Sequence, residues 1–104
     1  MAQFEVYRNG NPRTRDEIPY LLDVQAELLA SLATRVVVPL FTVSAMGKPV
    51  RHLTPRFSIE NRDVVMVTAQ LAGIDQQVLG EKVGSLAERR EEIIAALDFL
   101  FTGF

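Results

Sequence analysis

Apolar and polar residues alternate with a period near two in several short runs, and the period lengthens to three and four after Leu86. Phe4-Glu5-Val6-Tyr7 predicts a first strand, followed by the turn formers Asn9-Gly10-Asn11-Pro12. Pro19 precedes a second strand over 20–25, with Tyr20, Leu22 and Val24 on one face and Asp23 and Gln25 on the other. The stretch 26–33, carrying Leu28, Leu29 and Leu32, reads as a helical turn or a loop. Arg35-Val36-Val37-Val38-Pro39-Leu40 predicts a strand buried on both faces, its Pro39 end at an edge or a bulge because proline has no amide to donate. Gly47-Lys48-Pro49 marks a turn, and 56–59 with 63–68 predicts a hairpin across Glu60-Asn61-Arg62. A last strand is expected near 76–79, after a break at Gly73.

The terminal helix carries the strongest local signal. Ser85-Leu86-Ala87-Glu88 has the spacing of a capping box, and Glu91 and Glu92 sit toward the positive end of the helix dipole. Leu86, Arg90, Ile93, Leu97, Leu100 and Phe104 form a stripe that is apolar except at Arg90. Burying Ile93, Leu97 and Leu100 stabilises a fold by about 1.5–3 kcal/mol each. Gly103 suits the left-handed residue that closes a helix. Some six short strands and one final helix predict a mainly β protein: an antiparallel, partly closed barrel with a helix on it, one domain over 1–104.

Composition narrows the class. A chain of 104 residues that is 48% hydrophobic and 23% charged has enough apolar side chains for one modest core. No apolar run reaches the length of a membrane span, and the N-terminus lacks a signal-peptide pattern, so a cytoplasmic location is expected. The absence of cysteine excludes disulfides and thiolate metal sites. Eleven basic against thirteen acidic side chains argue against a dedicated nucleic-acid binder; Arg13 with Arg15, and Arg51 with His52 and Arg56, read as solvated surface.

A search for reaction chemistry returns no catalytic residues, no metal ligands and no cofactor motif. His52 is the single histidine and has no acidic neighbour in sequence, no glycine-rich run precedes a helix, and no serine lies in a Gly-x-Ser-x-Gly context. Glu91 and Glu92 point about 100° apart on a helix and make a poor catalytic dyad.

Four segments in order carry a resemblance to the CcdB family of toxins: Gln3-Phe4-Glu5-Val6-Tyr7, Leu22-Asp23-Val24-Gln25, Thr34 to Leu40, and Ile93 to Phe99 with Thr102-Gly103-Phe104. The resemblance spans essentially the whole chain. It implies an SH3-like antiparallel barrel of the CcdB, Kid and MazF type, a symmetric homodimer, and a toxin of a toxin–antitoxin module that is not an enzyme. Its implied target is the A subunit of DNA gyrase, trapped with cleaved DNA so that replication stops. The implied neutraliser is a cognate antitoxin with a flexible C-terminal segment, and a co-repressor role accompanies it. No cofactor, membrane or direct nucleic-acid contact is implied.

Carried over by position, the gyrase contacts are Ala26, Leu28, Leu29, Arg90, Asp98, Thr102, Gly103 and Phe104, while Leu97 and Leu100 fall at the core or the dimer interface. Thr102 stands where the best-studied pattern has a tryptophan, which removes a cation–π face; Phe101 or Phe104 is the substitute on offer. Two alternatives remain. One is an endoribonuclease on the same barrel, using Arg35, Arg56 and His52. The other is a diverged homologue that only binds antitoxin.

Overall fold

The computed structural model describes residues 2–29 and 31–103. Along the chain lie β1 (Glu5–Asn9), β2 (Tyr20–Asp23), β3 (Thr34–Thr42), α1 (Val43–Met46), β4 (Arg56–Ile59), β5 (Arg62–Met66), β6 (Ala72–Asp75), β7 (Leu79–Ser85) and α2 (Arg90–Thr102). All pairings among them are antiparallel. The strands form one curled half-barrel sheet in the order β4-β5-β3-β2-β1-β7, with β6 also joined to β3.

Alternation places Val6, Leu22, Val38, Leu40, Val64 and Met66 on the face that α2 covers, where Ile93 and Ala96 complete the core. The opposite face is also closed: Tyr7, Leu21, Asp23, Arg35 and Val37 are buried, which is why β2 has no exposed residue. Phe4 was expected inside the first strand. It instead takes φ 70° and lies just outside, its amide donating to Asp23 O (2.6 Å) and its carbonyl accepting from Leu86 N (2.8 Å). The left-handed turn accompanies a ring that is buried in the core.

Pro39 is not at an edge. β3 is an interior strand, paired with β2 along one side; on the other it meets β6 through Thr34–Val37 and β5 through Leu40–Thr42. Pro39 falls at the seam between those two partners, where its carbonyl accepts from Val67 N (3.1 Å). A strand residue directs both main-chain groups to the same side, so the missing amide lies where no ladder bond is required.

The expected strand near 76–79 is corrected. Gln76–Val78 is a turn of 3-10 helix, capped by Asp75, whose side chain accepts from Gln77 N (2.9 Å). Strands β6 and β7 flank it. The capping box is corrected as well: Ser85 Oγ accepts from Ala87 N (3.2 Å), and Ala87–Arg89 is 3-10 before α2 begins at Arg90. The β4–β5 hairpin turns on Glu60-Asn61 alone, both at positive φ (51° and 64°). That is the turn type whose twist matches a two-residue hairpin. α1, capped by the Thr42 hydroxyl and closed by Gly47 at φ 72°, was not anticipated.

Candidate functional site

The end of α2 presents its apolar side chains unevenly. Ile93 and Ala96 are buried, Leu97 and Leu100 half-buried, and Phe101 is 69% exposed. Thr102 donates its hydroxyl to Asp98 O (2.7 Å), and Gly103 turns the chain out of the helix at φ 78°, its amide returning to Phe99 O (2.9 Å). Thr102, Gly103 and Asp98 are thus exposed around a closed helix terminus. Phe104, the last expected contact, lies outside the described residues. Further up α2, Arg90 and Asp98 border a shallow hollow of about 280 Å³ with Glu91, Ile94 and Ala95. The Arg90 guanidinium lies 6.0 Å from the centroid of the Phe4 ring, which anchors it over the start of β1.

The second group of expected contacts, Ala26, Leu28 and Leu29, follows β2. Leu28 is 95% exposed, and Leu29 and Leu32 are half exposed. A chain of buried polar groups supports this segment. Arg35 directs Nε (2.9 Å) and Nη2 (2.6 Å) at Asp23 Oδ2, and both side chains are completely buried. Asp23 Oδ1 accepts from Gln25 N (2.9 Å), Gln25 Oε1 from Val36 N (3.0 Å), and Gln25 Nε2 donates to Leu29 O (2.8 Å). Asp23 and Gln25 therefore do more than finish a strand edge: they fix the carbonyl beside Leu28. Burial raises the Asp23 carboxyl, opposed by the Gln25 amide and the guanidinium. Among the described residues, no hydrogen bond of this segment reaches α2.

Glu5 lies on the same side of β1. Burial pushes its carboxyl up, but the Lys82 ammonium, the Ala2 amide (2.6 Å) and the Tyr7 hydroxyl (2.8 Å) outweigh that and hold it at about 2. Burial and the Glu5 carboxylate both push the Tyr7 phenol up.

The residues proposed for a nuclease groove do not converge. Arg35 is sealed against Asp23. Arg56 is exposed, 3.7 Å from Asp63. His52 sits in the segment between α1 and β4 at φ 70°, its ring 5.3 Å from that of Phe99. Among the described residues, no three of His, Asp and Glu gather as metal ligands, and no helix is long and apolar enough to cross a membrane. Among the described residues, the exposed aromatic at the helix end is Phe101, which the stripe Leu97–Leu100–Phe104 left out. Spacing alone does not single it out: Phe101 stands four residues past Leu97, close to the stripe, and it is exposed because the helix has run past the sheet edge of the core by that turn.

Over residues 3–103 the chain matches the family described as CcdB protein. In fold it is similar to the Mycobacterium tuberculosis toxin MazF-mt6, with a TM-score of 0.74 and 17% identity over 93% of this chain and 95% of that one. An endoribonuclease in complex with its cognate antitoxin, from a mycobacterial species, superposes with a TM-score of 0.75 at 16% identity, over 97% and 94%. An endoribonuclease, also mycobacterial, gives 0.73 at 16%, over 97% and 90%. At these identities the likeness is one of fold.

Proposed function

The chain belongs to the CcdB family, within the wider group of type II toxin–antitoxin toxins, and from that premise we propose that it poisons DNA gyrase by binding rather than by bond chemistry. The observation that carries the reading is the outward display of Phe101, Thr102 and Gly103 at the end of a helix whose opposite side is anchored in the core. An inhibitor that traps one state of its target needs differential affinity for that state, and no reaction centre. A solvent-exposed aromatic beside a closed helix terminus is the kind of anchor that concentrates binding energy. Asp98 and Arg90 add charge along the same helix. Leu28 and Leu29 with Ala26 extend the contact, and Phe101 takes the aromatic role vacated at Thr102.

In this reading two copies pair so that their α2 ends form one symmetric wedge for a two-fold target, with Leu97 and Leu100 near the seam. An antitoxin neutralises the pair. Expression in a gyrase-dependent bacterium is expected to arrest growth with accumulation of cleaved DNA, and purified protein is expected to retain the gyrase A subunit. Normal growth with intact DNA at full expression overturns the proposal.

The endoribonuclease reading draws support from the names of the fold neighbours. Burial of Arg35 and the isolation of His52 weigh against it, since a general base needs a partner within hydrogen-bond reach. RNA cleavage by the purified chain without gyrase would favour the nuclease.

A further inference from the structure

Asn9-Gly10 joins two residue types that react together readily in a peptide chain. An asparagine carboxamide is open to attack by the main-chain nitrogen of the next residue, and a glycine there has no side chain to hinder it. The fold requires both. Asn9 ends β1, 8% exposed, and its carboxamide makes three hydrogen bonds. Nδ2 donates to Thr14 Oγ1 (2.9 Å) and to Ile18 O (2.9 Å), and Oδ1 accepts from Asn11 N (3.0 Å). At Gly10 a Cβ would lie 2.5 Å from Val78 O, so a bulkier residue fits only if that carbonyl moves.

The loop between β1 and β2 wraps this carboxamide. Thr14 N and Arg15 N donate to Asn11 O (3.2 and 3.1 Å), Ile18 N donates to Thr14 O (2.8 Å), and Asn9 N donates to Pro19 O (3.0 Å). Thr42 N, at the end of β3, donates to Glu17 O (2.9 Å) and ties the loop to the sheet. Apart from the half-buried Thr14, residues 10–17 are exposed. The cover is thus made of polar bonds with little apolar burial behind it, and such a segment opens at a cost below that of global unfolding.

We propose that Asn9-Gly10 is a deamidation site gated by this loop, at which openings of the loop are recorded as irreversible covalent change. While Thr14, Ile18 and Asn11 hold the carboxamide, its carbon cannot swing over Gly10 N. Once it is released, Gly10 N attacks Asn9 Cγ and the Cγ–Nδ2 bond breaks. Ammonia leaves, carrying the Gly10 amide proton, and a five-membered imide remains. Water then opens the ring. Cleavage at Cγ leaves an aspartyl residue; cleavage at the main-chain carbonyl leaves an isoaspartyl residue, with one more carbon in the main chain. Neither product closes the clamp again. An ionised carboxylate in place of the carboxamide faces the Ile18 carbonyl with no proton between them, in a site nearly out of solvent. The isoaspartyl link also lengthens β1 where it pairs with Leu79. A modified chain therefore opens more easily than its parent, whatever the target of the protein.

The test is peptide mapping by mass spectrometry, with chromatographic separation of isoaspartyl peptides, on the full chain held at neutral pH with and without denaturing urea. In urea, position 9 is expected to convert about tenfold faster or more than Asn61, which precedes Arg62, and Asn11, whose neighbour Pro12 has no N–H. Without urea, its rate is expected to equal the urea rate multiplied by the open fraction of the loop, read from amide exchange at Asn11 and Ile18. Thr14→Val keeps the shape and removes one acceptor, so conversion without urea should rise about fivefold while the rate in urea stays the same. Asn9→Asp is expected to melt several degrees below the parent. No preference for position 9 in urea, a native rate as fast as that in urea, or a folded Thr14→Val that converts no faster than the parent overturns the inference. An Asn9→Asp chain as stable as the parent overturns its one-way character. Because the exchange comparison uses the unmodified chain, it decides the case even where Thr14→Val does not fold.

Discussion

Asp23 and Arg35 are the residues on which most depends. A buried pair contributes little net stability, yet removing one partner leaves the other charged and desolvated. Asp23→Asn is expected to cost about 3–5 kcal/mol in urea unfolding, and Asp23→Leu with Arg35→Met to recover most of it. Because Asp23 also holds Gln25, the single change should loosen the 26–32 segment, seen as faster amide exchange at Leu29 and Leu32. Glu5 gives the pH dependence. Its folded carboxyl, near 2, lies below the ordinary carboxylate value of 4.5, so its contribution is complete above 4.5 and disappears as pH falls toward 2. With Lys82 half exposed, the screened contribution is about 1–2 kcal/mol. The slope of stability against pH between 2 and 4.5 should flatten in Glu5→Gln. The alternation around 20–25 put Asp23 and Gln25 on one face but did not reveal that this face is closed. Strand register brings Arg35 to them: Asp23 pairs with Val37 on the neighbouring strand, and Arg35 lies two positions further along the same face.

At the scale of elements, local chemistry was legible where a short stretch settles its own conformation. The β4–β5 hairpin, the left-handed Gly103 and the split faces of β2 all follow from neighbours in sequence. β7 was missed because its strand signal is diluted by Gly80 and Gly84, and it is held by pairing with β1 rather than by its own composition. A Cβ at Gly80 would lie 2.9 Å from Arg8 O, so Gly80→Ala should part β7 from β1 and lower the melting temperature by several degrees. Glu60 shows two local terms in opposition. Its positive φ costs about 1 kcal/mol, yet its carboxylate accepts from Tyr20 Oη and Arg8 Nη2 (both 2.8 Å). These bonds offset the turn, that from the buried Tyr20 more than that from Arg8, whose ion pair with Glu60 is exposed and screened. Glu60→Gly should therefore lower the melting temperature slightly, despite relieving the turn.

For the molecule as a whole, sequence reasoning reached the architecture and the family because order and spacing of segments survive substitution. It did not reach a hollow beside α2, which is built from residues some forty positions apart, Pro49 and Ala95 among them. The helix end offers a separation of stability from function. Phe101→Ser removes an aromatic that is mostly in solvent, so the unfolding free energy should change by less than about 0.5 kcal/mol while gyrase retention is lost. If retention survives, Phe101 is not the anchor. The seam at Pro39 reaches furthest. Two neighbours share β3 as a common rail; at the joint Pro39 has no amide to give, and its carbonyl bond goes to Val67 beside β5, so β6 can detach without dragging β5. β6, short and largely facing water, should unzip first, leaving β5 seated. Deuterium uptake along β3 should then change abruptly on passing that proline, fast toward Thr34 and slow toward Thr42, and a uniform profile would mean the two halves open together.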